Sequence, residues 1–164
     1  VVGGLVALYL AAAVGTAALV RIGDRAAGHH HLVPPPVGAL VAELRVTGVE
    51  AAFADYWVAY RIPLVTEGRI RASALTDPRS PELERATRSE PRPPYVVFEG
   101  ECPDRQVQRA LAELGVGYGR VVVGAYAVIT PERRVMPEQL VREWADQRGR
   151  APAGAAPAHS CLGR

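Results

Sequence analysis

The stretch GVEAAFADYWVAYRIPLVTEGRIRAS, residues 48–73, holds an unusual set of side chains at its centre. Asp55, Tyr56, Trp57, Tyr60 and Arg61 place one carboxylate, three aromatic rings and one guanidinium within seven positions. A guanidinium fork matches phosphate oxygens. The set therefore has the chemistry of a polar-ligand site, with Asp55 and Arg61 as polar contacts and Tyr56, Trp57 and Tyr60 as its wall. The same residues also have a purely structural use. Asp55 would cap a helix, Trp57 and Tyr60 would pack on a sheet, and Arg61 would lay its stem along the surface. On that alternative Trp57 is needed for stability and Arg61 is dispensable for folding.

Other chemistry is sparse. His29, His30 and His31 are adjacent in AGHHHLVPPP, where consecutive loop side chains converge poorly, and His159 stands alone, so no metal site is expected. No Gly-x-Ser-x-Gly elbow or comparable nucleophile–base arrangement occurs, which removes the soluble hydrolase class. Gly115-Val116-Gly117-Tyr118-Gly119 looks like a phosphate loop but follows a helix instead of opening one. The two cysteines, Cys102 and Cys161, have no metal-ligand spacing. Cys161 falls in a stretch with nothing to bury, so a disulfide is not expected. Catalytic residues, metal ligands and cofactors are all expected to be absent.

The elements that must hold Asp55–Arg61 follow from periodicity. Val37, Leu40, Val41 and Leu44 make a helical stripe over 37–47, ended by Gly48. Val49, Ala51 and Phe53 alternate as a strand. Asp55 then suits an N-cap, and Tyr56–Ile62 makes a helix that Pro63 stops. Glu67-Gly68 turns into a second strand over 69–75. Residues 76–94, rich in Pro, Arg and Glu, read as a long exposed loop. A third strand covers 95–98 and a helix begins at Pro103. A single strand spans 121–129, with Gly124 marking a bulge or close approach. A last helix opens at Pro137. This order predicts an α/β fold: a small, mostly parallel sheet of about four strands covered by helices, Rossmann-like. In such sheets ligands gather beyond the carboxyl ends of the strands, where Asp55–Arg61 falls.

Residues 1–20 carry no charge. As a helix they rise about 30 Å, the thickness of a bilayer core, and Arg21, Asp24 and Arg25 stop them. Ala7, Ala11 and Gly15 form a small-residue ridge that suits packing within a bundle. The expected organisation is a transmembrane helix over 1–21, a linker over 22–36, an extramembrane α/β domain over 37–148 with its exposed loop 76–94, and a disordered tail over 149–164. A helix buried in a soluble protein is the alternative for 1–20. The chain begins with Val1; a GTG start codon or truncation of a longer protein would each explain this, and the ridge fits truncation. With 19 basic and 17 acidic residues in a chain of 164, no nucleic-acid footprint is present. Every basic residue is arginine, as in a GC-rich coding bias.

The run Leu40, Leu44, Gly48-Val49, Ala54-Asp55-Tyr56-Trp57-Val58-Ala59-Tyr60-Arg61, Leu64, Thr66, Glu67 and Ile70, with Arg92-Pro93-Pro94-Tyr95 downstream, resembles a known group of proteins. It is similar to the C-terminal extramembrane region of bacterial GT-C glycosyltransferases that use polyprenol-phosphate sugars, a group including the protein mannosyltransferases and aminoarabinose transferases. The likeness covers about residues 38–130. It implies that the chain is the last span plus the external, non-catalytic domain of such an enzyme in the cell membrane. It further implies contacts with the bilayer, the upstream helices, the polyprenol-phosphate sugar and an acceptor. Family members have many spans and carry their catalytic acid in the first external loop, so no residue here inherits that role. Arg21 and Arg25 would put the domain on the cytoplasmic side, whereas the resemblance puts it outside, and the external face is the expectation. The competing function is a single-span, membrane-anchored α/β binding or scaffolding module without enzymatic activity.

Overall fold

The strongest local signals sit at helix ends. In the computed structural model, which describes residues 35–140, helix α1 (Gly38–Val46) ends where the Val49 amide reaches back to the Leu44 carbonyl and the Gly48 amide to that of Arg45. This paired closure needs a left-handed residue, supplied by Gly48 at φ +69°. Leu40 and Leu44 from α1 are fully buried, each contributing on the order of 2 kcal/mol of apolar burial.

Strand β1 (Ala51–Ala54) follows, then α2 (Tyr56–Val65), β2 (Arg71–Ala74), α3 (Pro81–Ser89), β3 (Tyr95–Phe98), α4 (Cys102–Glu113), β4 (Tyr118–Val123) and β5 (Tyr126–Pro131). Residues 137–140 begin a further helix. The fold is α/β, with a five-stranded sheet in the order β2-β1-β3-β5-β4. It is mixed rather than mostly parallel: β1 runs parallel to β2 and β3, while β5 runs antiparallel to β3 and β4.

The extra strand arises because the apolar run expected as one strand over 121–129 is a hairpin. Val123 pairs with Tyr126, leaving Gly124-Ala125 as a two-residue turn. Gly124 has φ +62°, and a positive φ at the first turn position alone matches the sheet's twist. Gly124 marks neither a bulge nor a close approach.

Two other expectations give way. The helix over Tyr56 runs through Pro63 to Val65 rather than stopping at Ile62. Proline removes one amide donor near the end, and the ladder resumes with the Thr66 amide on the Ile62 carbonyl. Residues 76–94 are not one exposed loop but contain α3. Ser80 caps that helix by accepting the Leu83 amide, Pro81 stands at its start, and Glu82 and Glu84 occupy the first turn. These are standard start signals. Cys102 is disulfide-bonded, against expectation.

Strand periodicity divides the core. Ala52, Ala54, Val96, Phe98, Tyr126 and Val128 face α1 and α2. Phe53, Tyr95, Val97, Ala127 and Ile129 face α4 together with Val135 and Leu140. Phe53 stacks on Tyr95, and Phe98 on Tyr126, at 5.8 and 5.3 Å between centroids.

The segments read as membrane span (1–21) and tail (149–164) lie outside the described residues, as does most of the 22–36 linker. Among the described residues no helix is long and apolar enough to cross a membrane.

Candidate functional site

β1 and β3 are parallel neighbours, yet their following helices lie on opposite faces of the sheet, α2 on one and α4 on the other. Such a divergence opens a crevice at the carboxyl ends of the two strands. Asp55 leaves β1 at this point. Its amide donates to the Val96 carbonyl at 2.9 Å, so the backbone stays on the sheet for one more residue. Its carboxylate then accepts the Trp57 amide at 3.3 Å and its carbonyl accepts the Ala59 amide at 2.8 Å, the arrangement of an N-cap.

The five candidate residues divide into two groups and one outlier. Arg61 turns back to the sheet and hydrogen-bonds the Tyr126 phenol, with the Asp55 charge close enough to act on the same group. Burial pushes the Tyr126 phenol up; the Arg61 charge opposes, the Asp55 charge adds to the rise, and the hydrogen bond from Arg61 lowers it again. Tyr126 is therefore a neutral phenol at physiological pH, able to bond but not to act as a base.

Tyr56 and Tyr60 form the second group. Their rings meet edge-on at 5.2 Å, and the Arg79 guanidinium lies 5.5 Å from the Tyr56 centroid. The Tyr60 hydroxyl accepts the Arg79 amide at 2.9 Å, which ties α2 to the loop after β2. Asp77 in that loop pairs with Arg79 at 3.5 Å and holds φ +51°, a conformation rare outside glycine.

Trp57 is the outlier. It touches Tyr56 edge-on at 5.2 Å but is 53% exposed, so it does not pack on the sheet.

Arg79 and Tyr126 escaped the sequence reading. Tyr126 was reachable through Gly124-Ala125, since a two-residue turn there sets it opposite Phe98. Arg79 had no local signal, because its partners lie 19 residues upstream or in the adjoining turn.

A separate polar cluster closes the other face. Asp104, 1% exposed, accepts from the Gly100 amide at 2.9 Å, the Gln108 amide at 2.7 Å and the Arg120 guanidinium at 2.7 Å. Burial alone would raise this carboxyl, but the bonds from Arg120, Gly100 and Gln108 outweigh it and hold the group below the usual carboxylate range. Arg120 also reaches the half-exposed Glu99 at 3.4 Å, so these groups satisfy one another and the cluster is structural. The Gly115–Gly119 segment is no phosphate cradle either. The Glu132 carboxylate lies against Gly117, where a Cβ would meet its Oε2 at 2.4 Å.

No protein-family model, curated protein or solved structure matches this chain. The geometry must therefore carry the reading. Among the described residues no group of three His, Cys, Asp or Glu side chains could hold a metal ion. Around the start of α2 the structure thus gathers the Asp55 carboxylate, the Arg61 and Arg79 guanidinium groups, the neutral Tyr126 phenol and the Tyr56 and Tyr60 rings, with Trp57 to one side.

Proposed function

We propose that the described residues form the extramembrane, non-catalytic domain of an integral-membrane glycosyltransferase that takes its sugar from a polyprenol-phosphate donor. In this reading residues 1–21 span the cell membrane as one helix of a larger bundle, and the domain lies on the external face. One observation carries it. The Asp55–Arg61 run, which resembles that family, emerges at the carboxyl ends of β1 and β3, with Arg61 bonded to Tyr126 and Arg79 beside Tyr56. Arg79 and Asp77 are both largely exposed, and such a surface pair is worth under about 1 kcal/mol. A phosphate could exchange for that carboxylate at little cost. Tyr56 and Tyr60 supply flat apolar faces for a sugar ring.

The test is titration of a short-chain polyprenyl phosphate into the full chain in detergent micelles, followed by phosphorus NMR. Saturable binding that weakens at least tenfold in Arg61→Ala/Arg79→Ala supports the reading. A linear partition into micelles, identical in the variant, overturns it.

That second outcome would favour the membrane-anchored scaffolding module. A specific observation supports it: Asp55 caps α2, Arg61 bonds Tyr126 and the Arg79 amide bonds Tyr60, so each polar group already has a structural task.

A further inference from the structure

Helix α2 is apolar on two opposite sides. Val58, Ala59 and Ile62 are buried against the sheet, as any core-facing stripe would be. On the other side Trp57 and Leu64 are 53% and 78% exposed, while Val65, 49% exposed, ends the helix on the flank of the buried stripe, seven residues after Val58. Trp57 and Leu64 are two turns apart and share a line along the helix. The ten residues of α2 include no acid, and their single base, Arg61, is turned to Tyr126. Surface helices ordinarily set charged or polar residues opposite the core, whereas α2 sets Trp57 and Leu64 there. Among the described residues the remaining exposed large apolar side chains are Val46, which ends α1 over the same sheet face, and Val121 and Val122 on edge strand β4.

The sequence indicates what covers that side. Residues 1–20 are uncharged, and fourteen residues, 21–34, separate them from the described domain. Fully extended, a linker of this length reaches at most about 50 Å, so a domain tethered by a membrane span stays within contact range of the lipid surface. Tryptophan has the chemistry of the headgroup layer, with an apolar ring and one polar N–H, while leucine favours the acyl boundary beneath it.

From these features we propose that the outer face of α2, marked by Trp57 and Leu64, seats in the interfacial layer of a lipid bilayer. The proposal rests on the membrane-span part of the functional reading and needs neither the donor nor its enzyme. The seat fixes which side of the domain faces the lipid. It also sets the Asp55–Arg61 crevice, at the start of the same helix, beside the headgroups.

The experiment uses the full chain in phosphatidylcholine vesicles lacking any polyprenol. Trp144→Phe leaves Trp57 as the sole tryptophan of the chain's two. The expected result is blue-shifted Trp57 emission, quenched at least twofold by brominated lipid. Leu64→Glu should halve that quenching with vesicle flotation and far-UV circular dichroism unchanged. Should Trp144→Phe unfold the chain, the same quantity is the bromolipid-quenchable emission lost in Trp57→Phe. Emission at the water-exposed wavelength, quenched by aqueous iodide and not by bromolipid, overturns the seat even if the chain floats with vesicles. So does cross-linking that places a second copy on α2. Absence of flotation overturns the span and the seat together, whereas failure to bind polyprenyl phosphate leaves the seat standing.

Discussion

The Tyr60 hydroxyl accepts the Arg79 amide at 2.9 Å, joining residues 19 apart in sequence and locking the first turns of α2 to the loop that follows β2. Tyr60→Phe deletes this bond and keeps the ring contact with Tyr56. The site is half-exposed, so water replaces part of the loss, and the expected cost is about 0.5–1 kcal/mol. Hydrogen exchange at the Arg79 amide should speed up severalfold, while amides of β1 keep their protection. Unchanged exchange at Arg79 would show that the loop is held without the tyrosine.

Asp104 predicts an acid-sensitive fold. Its carboxyl sits below its ordinary value because Arg120, Gly100 and Gln108 stabilise the charged form more than burial destabilises it. A depressed carboxyl contributes stability above its unfolded value near 3.9 and loses it as pH falls through the folded value. Melting temperature should therefore drop below about pH 4. Asp104→Asn should flatten that acid limb and cost about 2–4 kcal/mol at pH 7, since it removes the buried anion and leaves the Arg120 guanidinium with only the half-exposed Glu99 at 3.4 Å. A variant with the wild-type pH profile would assign acid sensitivity to another carboxylate.

How far these features were readable in sequence depends on the range of the interaction that makes them. Asp55 as a cap and the closure at Gly48 are local, and both were legible. The α3 helix was local as well, through Ser80-Pro81 and the early glutamates. It was obscured by counting prolines without asking where they stood in the helix. Thr87, buried within it, gave no apolar stripe to correct the error. The split of 121–129 into two strands hung on one glycine, since valine and alanine suit both arms of a hairpin equally. The Asp104–Arg120 pair spans 16 residues, and Arg61–Tyr126 depends on the order of strands in the sheet. Neither relation has a periodic signature. The Trp57 packing role failed for a simpler reason: α2 already spends Val58, Ala59 and Ile62 on the sheet, leaving Trp57 on the far side.

Two glycines should respond to alanine to different degrees. Gly124 holds φ +62° in the β4–β5 turn, so Gly124→Ala forces an L-residue into a left-handed conformation. The expected cost is about 1–2 kcal/mol. Gly117 has no positive φ, and its crowding neighbour is the exposed, flexible end of Glu132. That carboxylate can swing away, and alanine also narrows the unfolded ensemble. Gly117→Ala should stay within about 0.5 kcal/mol of wild type in urea denaturation. A reversed order would mean that Glu132 is anchored over Gly117.

Ser73 on β2 and Thr87 on α3 are 3% and 0% exposed, and among the described residues neither hydroxyl has a hydrogen-bond partner. An unpaired buried hydroxyl costs about 1–3 kcal/mol, whereas its apolar isostere costs nothing of the kind. Thr87→Val conserves volume and should therefore stabilise the fold by about 1 kcal/mol. Ser73→Ala gains the same desolvation but gives up a little packing, so its benefit should be smaller. Urea denaturation of both single variants and the double variant separates two causes. Additive gains mean that each hydroxyl is unpaired by itself. A loss in either single variant, with the double no worse than the single, would mean that one ordered water bridges the pair, because removing one partner strands that water and removing both releases it.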